Sequence, residues 1–178
     1  MTTLMLAAAV AEREETAEQL HDLSVRDSLT GIANYHQLSD RLQVEIERSQ
    51  RTTRSFAVLL LDLDGLKEIN DRYGHLVGNR ALIRVAEVLR RSCRTIDTPA
   101  RFGGDEFALV LPETNETAAW QVGRRVADLL VSDGEAPPIT VSFGVAICPR
   151  HGKTVDALLG AADYSLYEVK SRRQRTHR

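Results

Sequence analysis

The chain has 178 residues, of which 43% are hydrophobic and 27% are charged. This composition is typical of one globular domain and excludes a wholly disordered chain. A net charge of −2 argues against a protein that wraps a nucleic-acid backbone. The two cysteines, Cys93 and Cys148, lie in no CxxC or Cys/His cluster, which argues against a zinc site and a disulfide framework and favours the reducing cytosol.

The N-terminal residues predict a helix and no membrane span. The apolar run over residues 4–11 is far shorter than the roughly 20 residues that cross a bilayer, and the glutamates after it make a signal peptide a poor interpretation. We predict a helix over residues 1–25. It is either a solvated extension or a connecting helix that carries a signal or pairs with a second copy. We expect a cytoplasmic chain, either soluble by itself or the cytosolic piece of something larger.

The next segments alternate between turn, helix and strand patterns. A turn over residues 27–31 leads to Asn34, which suits the N-cap of a helix over residues 35–48. Residues 56–61 are a continuous apolar run, which favours a strand buried on both faces. The apolar run ends at residues 62–65, which include the acidic residues Asp62 and Asp64.

The rest of the chain continues the alternation. The predicted elements are, in order, a helix over residues 79–94, short strands over 100–102 and 106–111, a helix over 117–131, a strand over 139–147 and a helix that Thr154 caps. An arginine-rich tail over residues 172–178 follows. This order predicts an α+β fold with a central, mostly antiparallel sheet flanked by helices. We assign residues 26–175 to the domain and 176–178 to the tail.

Two carboxylates stand where packing does not require them. Asp62 and Asp64 end the buried strand, and carboxylates there cost desolvation energy unless a cation is near. A hard cation such as Mg²⁺, held by one or two carboxylates together with substrate phosphates, suits this position. Taken alone, the pair is as well explained by a strand-end turn or a helix cap.

A glycine pair and a lysine add to this pattern. Gly103 and Gly104 separate two predicted strands, and Asp105 and Glu106 follow them. Glycines here make a tight hairpin, and they also let the backbone approach a phosphate or sugar closely. Lys67 is either a surface lysine or a partner for phosphates that a metal coordinates. Together these residue types suit nucleotidyl transfer, in which a metal neutralises phosphate charge and activates a hydroxyl.

Several long motifs occur in one order along the chain. They are Asp27-x-Leu-Thr-Gly-x-x-Asn34, Asp62-x-Asp64-x-x-Lys67-x-Ile-Asn70-Asp71-x-x-Gly74-His75-x-x-Gly78, Arg101-Phe-Gly-Gly-Asp-Glu-Phe107, Thr140-Val-Ser-x-Gly144 and Ala162-Asp163-x-x-Leu-Tyr167-x-x-Lys170. Over residues 26–175 the sequence resembles the GGDEF domains, the family of diguanylate cyclases. Because several motifs match in register, the resemblance is specific.

The resemblance implies a fold, a reaction and a set of roles. The fold is similar to the palm of nucleotidyl cyclases and polymerases, which is ferredoxin-like. The reaction condenses two GTP molecules into cyclic di-GMP and releases two pyrophosphates. Asp62, the carbonyl of Leu63 and Asp105 would hold Mg²⁺ or Mn²⁺. Glu106 would assist metal binding or deprotonation of the 3′-hydroxyl. The implied substrate contacts are Lys67 and Lys170 at the triphosphate, Gly103 and Gly104 along the nucleotide, and Asn70 at the guanine edge.

The resemblance also implies a dimer and a product site. Each active site holds one GTP, so ring closure requires two domains that face each other, at least transiently. The helix over residues 1–25 is a candidate device for this homodimer. Arg94-Thr-Ile-Asp97 matches the family's inhibitory Arg-x-x-Asp pattern, in which Arg grips a phosphate or guanine and Asp accepts guanine N–H groups. It is otherwise a helix-end Arg followed by a turn Asp.

One departure from the family concerns recognition of the guanine base. Asn79 stands where the family usually has an Asp that accepts two guanine N–H groups. An amide has one acceptor and one donor, so the site should reject adenine less strongly. The hybrid promiscuous GGDEF branch, which also makes cyclic GMP–AMP, has likewise lost that Asp. The alternative is that Asn70 and Asn79 still select guanine.

A second departure concerns the C-terminal motif Lys-x-x-Gly-Arg. It reads Lys170-Ser-Arg-Arg173-Gln174-Arg175 here, so Arg173 or Arg175 would replace the missing phosphate-binding arginine.

Two other classes of function compete with the cyclase. One is a catalytically silent receptor that reads cyclic di-GMP through Arg94 and Asp97. The other is an interaction domain without nucleotide, which explains none of the polar motifs. The retained Asp62 and Asp105 favour an enzyme. The sequence leaves open whether an upstream sensor or a separate regulator controls it.

Overall fold

The computed structural model of the protein describes residues 25–176, so the helix predicted over residues 1–25 lies outside the described residues apart from Val25. Within this range the elements are α1 (Tyr35–Thr52), β1 (Phe56–Leu63), α2 (Leu66–Tyr73), α3 (His75–Ser92), β2 (Thr98–Arg101), β3 (Glu106–Leu111), α4 (Glu116–Ser132), β4 (Val141–Cys148) and α5 (Val155–Thr176). Among these helices, none combines the length and the apolar character that crossing a bilayer requires.

The four strands form one sheet in the order β2-β3-β1-β4. Every neighbouring pair is antiparallel, which confirms the predicted α+β fold with an antiparallel sheet between helices. The apolar run predicted as a doubly buried strand is β1, which lies between β3 and β4.

Successive side chains of β1 point to opposite faces of the sheet. Leu59 and Leu61 belong to the core on the face of α3 and α4, whereas Val58 and Leu60 belong to the core on the face of α1 and α5. Asp62 continues the second series. The sheet therefore directs this carboxylate toward the face that α5 covers.

The predicted helix caps are confirmed. The Asn34 side chain accepts a hydrogen bond from the Gln37 backbone N–H at 3.0 Å, at the start of α1. Thr154 Oγ1 accepts from the Ala157 N–H at 3.2 Å, at the start of α5.

One helix was missed, and several predicted boundaries were wrong. Helix α2 was not predicted, because it has only eight residues and buries only Ile69. Helix α3 starts at His75 rather than at residue 79, directly after Gly74, whose φ of 85° turns the chain between the two helices. Helix α5 continues to Thr176 and leaves no separate tail from residue 172.

Candidate active site

A row of polar residues crosses the sheet where β1 ends. Asp62 of β1 lies opposite Glu106 of β3 on one side and opposite Ser142 of β4 on the other. The ladder continues by one more bond, because the Leu63 N–H donates to the carbonyl of Asp105 at 3.0 Å. The four residues that are expected to bind the metal or to act as general base therefore lie at one end of the sheet. They are Asp62, Leu63, Asp105 and Glu106.

Helix α5 adds two cations to this row. Lys170 Nζ lies 2.7 Å from Asp62 Oδ1, and the Asp62 side chain is only 16% exposed. One turn further along α5, Arg173 Nη1 lies 3.3 Å from Asp64 Oδ2. By contrast, Arg175 is exposed and, within the described residues, makes no ion pair with these carboxylates.

The carboxylates at this end of the sheet are crowded. Burial raises the pKa of Asp62, the Lys170 ammonium opposes this shift, and the charges of Asp105 and Asp64 add to it. Burial also raises the pKa of Glu106, with further contributions from the nearby carboxylates. Burial is the larger cause of both shifts, and the charges of the neighbouring carboxylates add to it. A bound divalent cation would favour the charged forms of these carboxylates.

The donor set fits a hard cation. Within residues 25–176 no group of three or more His, Cys, Asp and Glu side chains is arranged to hold a metal ion. Two carboxylates and the Leu63 carbonyl are a smaller, all-oxygen set, which is the set that Mg²⁺ takes when substrate phosphates supply its other ligands. The crowding of carboxylates at the same place supports this fit.

The two glycines before the carboxylates differ in their surroundings. A Cβ at Gly103 would lie 2.5 Å from Glu106 Oε2, whereas a Cβ at Gly104 would meet nothing within 4 Å. A side chain at position 103 would therefore displace the Glu106 carboxylate from its present place. Gly104 leaves open space beside the site, as close approach of a ligand to the backbone would need.

Arg101 fixes this glycine turn. It is not among the site residues that the sequence predicted. Its Nη2 donates to the carbonyl of Gly104 at 2.7 Å and its Nε to the carbonyl of Gly103 at 3.1 Å. Its Nη1 also lies 3.2 Å from both carboxylate oxygens of Asp27. Both residues stand in motifs that the sequence displays. Their pairing across the fold was the part that the sequence did not reveal.

Of the two asparagines expected at the guanine base, Asn70 lies on α2 and Asn79 lies on α3. A Cβ at Gly78 would overlap the Asn70 side-chain oxygen, so the Asn70 amide lies directly against the first turn of α3. Asn79 is the next residue of that helix and is exposed. Lys67 is exposed on α2, and no contact joins it to the carboxylates within the described residues.

Arg94 and Asp97 bond to each other. Arg94 Nη2 lies 2.9 Å from Asp97 Oδ1, and its Nε lies 3.2 Å from Oδ2. Arg94 Nη2 also donates to Thr114 Oγ1 at 2.9 Å. Arg94 follows the C-terminal end of α3, whereas Asn79 lies near its N-terminal end. An 18-residue helix is about 27 Å long, so this pair is remote from the candidate base site.

Known proteins are similar to this chain in sequence. The family profile described as "Diguanylate cyclase, GGDEF domain" matches residues 24–176. The bifunctional diguanylate cyclase/cyclic di-GMP phosphodiesterase MucR of Pseudomonas aeruginosa is 38% identical over 94% of this chain. The response regulator PleD of Caulobacter vibrioides is 33% identical over 84% of it. The chain spans 25% of the length of MucR and 35% of that of PleD.

Solved structures agree with the fold. A sensory box/GGDEF family protein from Caulobacter crescentus superposes with a TM-score of 0.76 at 35% identity, over 83% of this chain and 98% of that one. The coiled coil and GGDEF domain of DgcB from the same organism, in complex with c-di-GMP, gives a TM-score of 0.83 at 27% identity, over 93% and 92% of the two chains. From its profile match, its relatives and its antiparallel sheet, the chain belongs to the GGDEF-domain family of diguanylate cyclases.

Proposed function

We propose that this chain is a diguanylate cyclase that condenses two GTP molecules into cyclic di-GMP and releases two pyrophosphates. The observation that carries the proposal is the crowding of Asp62, Asp105 and Glu106 at one strand end, beside the Lys170 ammonium. Carboxylates with an excess of negative charge, next to cations on a neighbouring helix, suit a triphosphate that binds together with divalent cations. Family membership supports the same activity.

Asp62, Asp105 and the Leu63 carbonyl would hold Mg²⁺ or Mn²⁺. When bound, the cation neutralises phosphate charge and activates the attacking hydroxyl. The Lys170 ammonium now on Asp62 would then turn to the triphosphate, which Lys67 of α2 also contacts in this proposal. Gly103 and Gly104 let the backbone run close to the nucleotide.

Glu106 serves as the general base in this proposal. It accepts the proton of a GTP 3′-hydroxyl while that oxygen bonds to the α-phosphorus of the second GTP. The bond from this phosphorus to the α–β bridging oxygen breaks, and its electron pair leaves with pyrophosphate. A carboxylate whose pKa burial has raised is a stronger base than an exposed one.

Two such steps close the ring, so two domains must face each other about a two-fold axis. We therefore propose a homodimer, at least a transient one. In this proposal the helix predicted over residues 1–25 brings the two copies together. The enzyme would act in the cytoplasm under an upstream sensor or a separate regulator.

A second candidate function concerns the base. The Asn70 side chain of α2 lies against Gly78 of α3, which precedes Asn79, and neither asparagine supplies a carboxylate for guanine. An amide pair can also serve adenine, so the enzyme would make cyclic GMP–AMP beside cyclic di-GMP. An equimolar mixture of ATP and GTP tests this candidate, because a product consisting of cyclic di-GMP alone would exclude it.

We also propose product inhibition at Arg94 and Asp97. The Arg94 side chain is 56% exposed, whereas that of Asp97 is 3% exposed and bonded to Arg94. Arg94 is therefore the group that meets a product phosphate. Asp97 can accept guanine N–H groups only after Arg94 releases it.

An Asp62→Ala variant separates the cyclase from a silent receptor. With Mg²⁺ and GTP, the wild-type chain should form cyclic di-GMP and the variant should form none. Both should bind added cyclic di-GMP, because the bonds of Arg94 in the described residues are to Asp97, Pro112 and Thr114 and do not involve Asp62, and Arg94→Ala should remove that binding. A wild-type chain that binds the dinucleotide but forms none, even when fused to a dimerising coiled coil, would be a receptor.

A further inference from the structure

A carboxylate that is not part of the proposed metal set is held by three side chains. Asp64 Oδ1 accepts from Ser142 Oγ at 2.8 Å, and Asp64 Oδ2 accepts from Thr140 Oγ1 at 2.8 Å. Arg173 Nη1 lies 3.3 Å from Asp64 Oδ2 and donates to Ser142 Oγ at 3.0 Å. The Asp64 N–H also donates to the carbonyl of Thr140 at 2.9 Å. Both oxygens and the backbone of Asp64 are therefore committed to neighbours.

This network fixes one end of the Arg173 guanidinium and leaves the other end available. The bonds of Arg173 within the described residues all involve Nη1. A guanidinium carries five N–H donors in a planar fork, so the Nε and Nη2 donors remain for a ligand. The Arg173 side chain is 51% exposed, which leaves those donors accessible.

The position of Arg173 puts these donors beside the metal carboxylates. Residues three apart on a helix lie on the same face, so Lys170 and Arg173 both project from α5 toward the end of β1. Lys170 bonds Asp62, and Arg173 bonds Asp64 two residues further along the chain. Arg175, the other candidate replacement, has no contact with this end of the sheet among the described residues.

We propose that Arg173 is the triphosphate-binding arginine of this chain and that Asp64 is the residue that positions it. Ser142 and Thr140 keep the Asp64 carboxylate in place. In this arrangement Arg173 supplies the phosphate contact that Gln174 cannot supply. The inference rests on the proposed function, because it requires GTP to bind at Asp62 and Asp105.

The test measures binding of a GTP analogue with a methylene group between its α- and β-phosphorus atoms, which cannot release pyrophosphate. Titration calorimetry with Mg²⁺ compares the wild-type chain with Arg173→Ala, Arg175→Ala and Arg172→Ala. Arg172 lies 3.8 Å from Glu168, which is on the same helix, and serves as the matched control. Arg173→Ala should weaken binding about tenfold or more, as expected for a lost charge-assisted bond to phosphate. The other two variants should bind like the wild type.

The positioning role of Asp64 is tested by a double-mutant cycle. Asp64→Asn should weaken analogue binding in the wild-type chain and have no further effect in the Arg173→Ala chain, because it acts through Arg173. Ser142→Ala should show the same dependence, and it replaces Asp64→Asn if that variant does not fold. In turnover, the KM for GTP should rise more than kcat falls, since the lost contact is to the ground-state triphosphate as well.

Three results would overturn the inference. Arg173→Ala with wild-type affinity excludes Arg173 as a phosphate contact. Weakened binding in Arg175→Ala instead assigns the role to that residue, and additive effects of Asp64→Asn and Arg173→Ala remove the positioning role. A wild-type chain that binds the analogue but makes no cyclic di-GMP contradicts the proposed function alone. A wild-type chain that does not bind the analogue contradicts both.

Discussion

The Arg101 guanidinium joins the Asp27 turn to the glycine turn beside the carboxylates. Its Nη1 lies 3.2 Å from both oxygens of Asp27, while its Nη2 donates to the carbonyl of Gly104 at 2.7 Å. The Asp27 turn follows directly on the residues predicted as the N-terminal helix. One side chain therefore links the Asp27 turn with the glycine turn that precedes Asp105.

We expect Arg101→Lys to lower the rate of cyclic di-GMP synthesis at least tenfold while it costs only about 1–3 kcal/mol of folding stability. Lysine keeps the charge, but a single ammonium cannot span two carbonyls and a carboxylate. Initial rates and urea unfolding check this. Arg54→Lys, in an exposed pair with Glu113, is the control and should change neither quantity much. A wild-type kcat in Arg101→Lys would show that the several hydrogen bonds of the Arg101 guanidinium are not needed for catalysis.

Asp27→Asn should destabilise the protein in a pH-dependent way. Burial acts to raise the pKa of Asp27, but hydrogen bonds from Thr30 and the Arg101 guanidinium outweigh it, and the pKa lies below 3.8. A lowered folded-state pKa stabilises the protein above pH 3.8, and this contribution disappears as the pH falls through the folded-state value. The difference in unfolding free energy between the variant and the wild type should therefore be largest at neutral pH. A difference that grows on acidification would contradict the pairing.

The two glycines should respond differently to alanine. A Cβ at Gly103 would displace the Glu106 carboxylate, so Gly103→Ala should lose activity even if it folds. Gly104→Ala meets nothing in the protein, so its melting temperature should stay within a few degrees of the wild-type value. If the nucleotide runs along this backbone, Gly104→Ala should still bind GTP more weakly. Wild-type affinity in that variant would show that the nucleotide takes another path.

Glu106→Gln should stabilise the metal-free protein at neutral pH. The pKa of Glu106 in the folded protein lies above 4.5, mainly because of burial, so the folded state holds the proton more tightly than the unfolded chain. Stability is therefore lost as the pH rises from 4.5 through the folded-state pKa, and glutamine avoids this loss. Urea unfolding in EDTA between pH 5 and pH 8 should show a gain that grows with pH. Glu87→Gln, at an exposed position of α3, is the control, and an equal gain there would contradict the account.

The two thiols should be unreactive in the folded protein. Burial and the nearby Asp97 carboxylate raise the pKa of Cys93 to about 12, and burial raises that of Cys148. At pH 8 almost no thiolate is present at Cys93, and the thiolate is the reactive form. A thiol-reactive dye should label neither residue within minutes, whereas urea-unfolded protein should react at both. Fast labelling of the native protein would contradict the raised thiol pKa values.

The parts of the fold that follow from local patterns could be predicted. The run over residues 56–61 identified the central strand, because helices cover both faces of that strand. Helix α2 could not be identified in this way, since it buries only Ile69 and is held by its contact with α3. The C-terminal end of α5 lacks apolar periodicity, and Arg173 and Arg175 in its last turn match the helix dipole instead.

Side-chain partners across the fold were harder to predict than the residues themselves. The sequence singled out Lys170 and Arg173, but 109 residues separate Arg173 from Asp64. Their meeting depends on how α5 crosses the sheet, which no local pattern encodes. The same holds for Asp27 and Arg101, which are 74 residues apart.

The most direct test of the central claim is identification of the product by mass. The purified 178-residue chain is incubated with Mg²⁺ and GTP, with Asp62→Ala as the control. We predict cyclic di-GMP and pyrophosphate in a ratio of about one to two from the wild-type chain, as two phosphoryl transfers require, and neither from the variant. A folded wild-type chain that binds GTP but forms no cyclic di-GMP, even when its dimerisation is forced, would contradict the account.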